Sequence, residues 1–185
     1  MEKAIAIDKN FLLLENGELL EIKDNLEFGK IYNFDFSNKK VENLEKIEEE
    51  NNWKISFSTG RKIYDKFDNA YIIDVREGFE FFMNGIDEAI NIPLGKIESI
   101  YDKNIKEDDI VMVYCRSGKR SKKAQDILLN LGFKLVLDVG GILDYNGEFD
   151  NYRHNWFMNT IISPAKPHSW QRSDRVLNSA YIILS

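Results

Sequence analysis

The chain has 185 residues, 43% of them hydrophobic and 30% charged, with a net charge of −6. Those proportions suit a soluble globular protein rather than a disordered or membrane one. The negative balance speaks against a general nucleic-acid binder, which needs a basic face for phosphates. No apolar run approaches the roughly 18 residues of a membrane span. The N-terminal MEKAIAIDKN is interrupted by charge before a secretory apolar core could form. A single cysteine cannot form an internal disulfide, and His154 and His168 lack ligand-type spacing, so neither a metal nor another cofactor is expected. These features together suggest a cytoplasmic setting, in which a thiol stays reduced.

Charge divides the chain into three zones. Lys and Arg number 7 against 13 Asp and Glu in residues 1–52, 14 against 17 in residues 53–150, and 4 against 1 in residues 151–185. The expected units are a β-rich N-terminal subdomain of unassigned role over 1–53, an α/β domain over 54–148, and a C-terminal extension or tail over 149–185.

In the first zone, Phe11-Leu12-Leu13-Leu14 and Leu19-Leu20-Glu21-Ile22 flank Glu15-Asn16-Gly17-Glu18. Asn-Gly is the preferred pair for a two-residue hairpin turn, so two strands are expected there. Lys30 to Phe36 alternates apolar and polar residues like a half-buried strand. Val41, Leu44 and Ile47 recur at every third position among Glu and Lys, which favours a short amphipathic helix.

The middle zone alternates strand and helix signals. Tyr71–Val75 is a short apolar run, followed by an aromatic-rich stretch from Glu77 to Met83. Ala89–Ile92 ends at Pro93, and Ile97, Ile100 and Tyr101 have helical spacing. Ile110–Tyr114 is the clearest buried strand. Ala124, Ile127, Leu128 and Leu131 then predict a helix beginning near Ser121 and capped by Gly132. Leu135–Val139 forms a last strand, stopped by Gly140-Gly141. Strands alternating with helices imply an α/β class with a central, mainly parallel sheet flanked by helices. The last zone has no sustained periodicity.

The candidate chemistry lies at VYCRSGKRSKK. Cys115 follows the strongest strand, and five of the next eight residues are cationic. Ligands of open parallel sheets bind beyond the carboxyl ends of the strands. A following helix turns its unpaired N–H groups and positive dipole end towards that point. Amides of Arg116, Ser117, Gly118, Lys119 and Arg120 could converge on the sulfur as an anion nest, with Ser121 closing the loop at the helix start. Helix N-termini and cations lower a thiol pKa from about 8.5 towards roughly 3.5–7.5. The bland alternative, a small buried hydrophobe, fits poorly with so dense a cationic flank.

Protein tyrosine phosphatases place an arginine after Cys-x5, but that position here is Ser121. The pattern is instead Cys115-x4-Arg120, a loop one residue shorter. CRSGKRS resembles the active-site loop of single-domain rhodaneses, the thiosulfate sulfurtransferase-like family. Asp74-Val75-Arg76-Glu77, Ala89-Ile90-Asn91-Ile92-Pro93 and Gly140-Gly141-Ile142 follow that family's order, over about residues 54–148. Asn84-Gly85-Ile86 stands where Gly-His-Ile is frequent, and Tyr145 where tryptophan is common.

The resemblance implies a rhodanese fold and an enzyme that moves sulfane sulfur through a Cys115 persulfide. The implied partners are a small anionic donor such as thiosulfate and an acceptor that is a thiol, a protein thiol included, or cyanide. No nucleic acid and no membrane are expected as partners. Arg116, Lys119 and Arg120 would draw in the donor, with Arg120 also open to fixation by a carboxylate. Asp74 and Arg76 are expected chiefly as a salt-bridged support under the loop. Two alternatives are a rhodanese-type interaction module with little activity and, less favoured, a phosphatase or arsenate reductase on the same scaffold.

Overall fold

Alternation along the first strand creates two faces with different tasks. β1 (Glu2–Asp8) turns Ala4 and Ala6 to one side and Ile5 and Ile7 to the other, all of them buried. In this computed structural model, which describes residues 2–37, 40–49 and 51–145, β1 is the centre of an antiparallel sheet. Its other members are β2 (Phe11–Leu14), β3 (Leu19–Glu21), β4 (Ile31–Ser37) and β5 (Lys40–Ile47), in the order β3-β2-β1-β4-β5. One face gathers Leu12, Leu26, Tyr32 and Phe34 into a small core. The other face presents Ile5, Ile7, Leu13 and Ile31 to the rest of the protein.

Two expectations for this zone are corrected. Residues 41–47 form strand β5 rather than a helix. A bulge opposite Phe34 interrupts the β4–β5 register, with Asn43 at φ 52°. One extra residue brings Val41 and Leu44 onto the same face of the sheet, while Ile47 turns to the other. Spacing by three thus arose from alternation broken once. The Asn16-Gly17 turn is likewise wider than a two-residue hairpin: Gly17 N–H donates to the Leu14 carbonyl, and Leu14 N–H to that of Glu18. Gly17 alone in this turn has positive φ, whereas the two-residue form preferred by Asn-Gly needs it at both positions.

The chain then crosses to a second layer. Ser56 caps α1 (Phe57–Lys66), accepting the Thr59 N–H at 3.1 Å, an arrangement whose loss typically costs about 0.5–2 kcal/mol. β6 (Ala70–Asp74), α2 (Gly78–Asn84) and β7 (Ala89–Asn91) follow. A 3₁₀ segment at Leu94–Lys103, kinked at Lys96, leads to β8 (Ile110–Cys115). Next come α3 (Lys119–Asn130), β9 (Leu135–Gly141) and a 3₁₀ turn at Ile142–Asp144. The four strands pair in parallel in the order β7-β6-β8-β9. Every residue of β8 and β9 is buried, as expected of parallel strands covered on both faces.

Alternation along β8 sends Ile110, Met112 and Tyr114 to the core shared with the antiparallel sheet. Val111, Val113 and Cys115 face α3 and the 3₁₀ segment. α3 starts at Lys119, two residues before the expected position. It ends with Gly132 N–H donating to the Leu129 carbonyl and Phe133 N–H to that of Leu128. The connector between the sheets is itself tied in: Lys54 pairs in parallel with Asp138 along the outer edge of β9. The expected extension over 149–185 lies outside the described residues.

Because Ile5 is fully buried in the core that both sheets share, Ile5→Ala is expected to destabilise the whole fold. The expected loss is about 2–5 kcal/mol, with probes on Trp53 and on overall secondary structure unfolding together in denaturant. Separate transitions would show that the antiparallel sheet stands alone.

Candidate active site

β8 delivers Cys115 to the carboxyl edge of the parallel sheet, and α3 begins four residues later. Between them the backbone must reverse sharply, and Gly118 does so at φ +87°, where a side chain would be strained. Its N–H donates to Cys115 Sγ at 3.2 Å. The sulfur is almost wholly buried, and burial pushes its thiol up. Hydrogen bonds from the backbone N–H groups of Ser121, Ser117 and Arg120 and from the Ser121 hydroxyl outweigh that effect, so the thiol titrates below its ordinary value. This cradle favours negative charge on sulfur, and the Arg120 guanidinium is near enough for its charge to interact with the thiolate.

The loop fits only because the last strand is thin beneath it. A Cβ on Gly141 would stand 2.7 Å from both the Arg116 carbonyl oxygen and Ser117 Cα. Ser121 Oγ lies 3.0 Å from the Gly118 carbonyl and 3.3 Å from that of Gly140, bridging loop and strand. Leu143 N–H donates to the Arg116 carbonyl at 3.3 Å. Beside the loop, a cleft of about 440 Å³ opens between the Glu15–Gly17 turn, Lys54 and Gly140, with Asp144 on its wall.

Arg120 is held from outside by α2. Its Nη1 and Nη2 donate to Glu80 Oε2 and Oε1 at 2.6 and 2.9 Å. The guanidinium holds Glu80 down at about 2, so the pair persists through the whole range in which free carboxylates protonate. Its contribution to stability is complete above about pH 4.5 and is lost as the pH falls through about 2. Glu80 Oε2 also accepts the Glu77 N–H at 3.1 Å, which seats the start of α2.

Asp74 and Arg76 form a second, deeper pair, with side chains 0% and 2% exposed. Arg76 Nε donates to both carboxylate oxygens of Asp74 at 3.0 and 2.9 Å, and Nη2 to Oδ2 at 2.6 Å. The remaining arm reaches Asn84 Oδ1 at 2.8 Å, and the guanidinium lies 5.7 Å from the Tyr114 ring centroid. Burial also pushes the Tyr114 phenol well above its usual value. Its hydroxyl accepts the Ile86 N–H at 3.2 Å. The segment Asn84-Gly85-Ile86, which departs from the family pattern, therefore clasps both Arg76 and Tyr114. Tyr145, the other departure, packs against Phe57 with ring centroids 4.8 Å apart.

Of the residues singled out in the sequence, Ser117, Gly118, Arg120 and Ser121 surround the sulfur with their main chains. Arg116 and Lys119 project outward and are exposed. Asp74 and Arg76 pair with each other. Glu80, Tyr114 and Asn84 gave no chemical signal in the sequence; Glu80 is 40 residues from Arg120, and no local pattern joins them.

Two outcomes follow. Titration of the Cys115 thiolate by its ultraviolet absorbance is expected to give a midpoint below that of a free thiol, about 8.5, and Ser121→Ala is expected to raise it. Arg76→Met leaves the Asp74 carboxylate buried without its partner, and denaturant unfolding should show a loss of about 3–5 kcal/mol.

Comparison with known proteins agrees with this geometry. The sequence pattern of the Rhodanese-like domain family matches residues 59–148. The Escherichia coli protein named Thiosulfate sulfurtransferase PspE is 36% identical over 77 residues, 39% of this chain and 70% of that protein. A mitochondrial protein of Schizosaccharomyces pombe, whose name also carries thiosulfate sulfurtransferase, is 40% identical over 86 residues, 40% of this chain. The matched part spans 60% of that relative's length. A tRNA uridine(34) hydroxylase of Buchnera aphidicola is 36% identical over 84 residues, 42% of this chain but 27% of that protein. With its cysteine loop, its parallel sheet and these relatives, the chain belongs to the rhodanese-like domain family.

Proposed function

We propose that the protein is a sulfurtransferase that carries sulfane sulfur on Cys115, from thiosulfate or a similar anionic donor to a thiol or cyanide. The observation that carries this reading is a buried thiol at the junction of β8 and α3 that accepts the Gly118 N–H at 3.2 Å, with neighbouring main-chain N–H groups lowering its titration. In the first step the Cys115 thiolate attacks the outer sulfur of thiosulfate. A sulfur–sulfur bond forms to Cys115, the one within thiosulfate breaks, and sulfite leaves with its electron pair. In the second step the acceptor thiolate or cyanide attacks the outer sulfur of the persulfide and restores the Cys115 thiolate. Covalent catalysis divides one transfer into two displacements, and the N–H donors that lower the Cys115 thiol favour its thiolate for the first of them.

The same N–H groups would stabilise the negative charge on the persulfide, fixed dipoles in place before the charge arrives. Arg116 and Lys119, exposed beside the loop, would raise the local concentration of a dianionic donor. Arg120 serves the loop in another way: both arms of its guanidinium are engaged by Glu80. That engagement, together with the four-residue spacing from Cys115, disfavours phosphoryl or arsenate chemistry, in which an arginine must grip the oxyanion. The buried Asp74–Arg76 pair is read as a support for the β6 end of the site.

The test is intact mass after incubation with thiosulfate, followed by cyanide or a dithiol. The expected result is a gain of one sulfur atom, its loss to the acceptor, and neither change in Cys115→Ser. Absence of the gain, with hydrolysis of an aryl phosphate, would replace this reading with phosphatase chemistry.

A further inference from the structure

Three large apolar side chains stand in water on the helix that braces the cysteine loop. Phe79, Phe82 and Met83 of α2 are 71%, 71% and 75% exposed. Their spacing of three and four residues places them on one face. The other side chains of the helix are committed inward, with Phe81 packed against the core and Glu80 holding Arg120. On the segment after β9, Leu143 is 68% exposed while its N–H is bonded to the Arg116 carbonyl. Scattered exposed apolar residues need no explanation, but three on one face of a seven-residue helix mark an interaction surface.

The small reactants proposed above have no use for this face. Thiosulfate and cyanide are compact anions without hydrocarbon to bury. A partner that covers Phe79, Phe82 and Met83 has to be large enough to bring apolar side chains of its own. The link from α2 to the cysteine loop is Glu80, which holds Arg120; Lys119 next to it and Arg116 in the loop are both exposed and have no carboxylate partner among the described residues. Apolar anchors beside unpaired cations complement a surface with an apolar centre and an acidic rim. A second copy of this chain suits the face less well. A two-fold interface would gather Arg116 and Lys119 of both copies into one patch without supplying carboxylates from this face, and like charges oppose that contact.

We propose that α2 and the rim of the cysteine loop dock an acidic polypeptide that presents the acceptor thiol. Its apolar side chains seat on Phe79, Phe82 and Met83, and its carboxylates meet Arg116 and Lys119. This inference rests on the sulfur-transfer reading of Cys115. The partner's thiolate attacks the outer sulfur of the Cys115 persulfide and leaves as a polypeptide persulfide, while Cys115 regains its thiolate. No oxidant or reductant enters.

The probe is a short labelled peptide alternating Glu and Leu around one central Ser, with a matched peptide carrying Lys for Glu. Binding to the full chain is read by fluorescence anisotropy, which does not depend on catalysis. The acidic peptide is expected to bind at least ~tenfold tighter than the basic one, with the difference shrinking as salt rises. Phe79→Ser/Phe82→Ser changes two exposed side chains and is expected to weaken that binding by ~tenfold or more. The double variant should keep its thiosulfate–cyanide turnover. With Cys in place of the central Ser, its KM for the peptide as acceptor should rise while kcat holds. Equal binding of the two peptides, or binding indifferent to the double variant, would overturn the proposal. So would concentration-dependent self-association that the double variant abolishes, which would assign the face to a second copy. Failure to gain sulfur from thiosulfate is a separate result; it removes the sulfur-transfer reading, while the anisotropy still decides whether the face docks acidic chains.

Discussion

A buried sulfur ringed by main-chain N–H groups requires the backbone on every side of it to be held in place. Amide dipoles stabilise charge only while they point at it, and their orientation here comes from the junction of β8 with α3. Gly118 supplies the reversal and one direct donor at 3.2 Å. Ser121, in the first turn of α3, ties the loop to the carbonyls of Gly118 and Gly140. The thin Gly140-Gly141 segment of β9 lets the loop lie close enough for this to happen. A thiol in that position gains more from the donors than it loses through burial, which is why its pKa falls rather than rises.

The rest of the fold can be read as bracing for that junction. Glu80 grips Arg120 from α2, and the Asp74–Arg76 pair with Asn84 anchors both ends of the same helix region. From the opposite side, Gln125 Nε2 of α3 lies 2.9 Å from the Trp53 carbonyl and 2.8 Å from that of Val136. Those contacts join α3, β9 and the connector from the antiparallel sheet. Ile5, Ile7, Leu13 and Ile31 of that sheet share one core with Tyr114, the residue before the cysteine. The N-terminal strands are thus mechanically continuous with the site, while Cys115 itself packs in the core beneath α3.

Charge near the loop is sorted by depth. The buried pair is internally neutral, Arg120 is neutralised by Glu80 at the margin, and Arg116 and Lys119 remain exposed outside. Such layering keeps uncompensated cations out of the low-dielectric interior, where they are costly. It leaves them where a dissolved anion or an acidic surface can meet them. The helix whose Glu80 neutralises Arg120 also leaves Phe79, Phe82 and Met83 exposed.

What the sequence determined by itself is what depends on near neighbours along the chain. The strand Ile110–Cys115, the short loop and the helix after it are contiguous, and the donors to Sγ come from residues within six positions of it. The four ordered motifs likewise mark strand ends, which local alternation and glycine placement reveal. Only the tertiary structure decided what depends on distant contacts. Val41, Leu44 and Ile47 became strand because a bulge against β4 changed which face each occupies. Glu80 became the partner of Arg120 across 40 residues because parallel pairing brings those segments to one end of the sheet, and Asn84 became the partner of Arg76 because the turn of α2 carries its last residue back over the end of β6. The exposure of Phe79, Phe82 and Met83 was equally hidden: an aromatic stretch reads as core until the packing leaves one face of its helix uncovered.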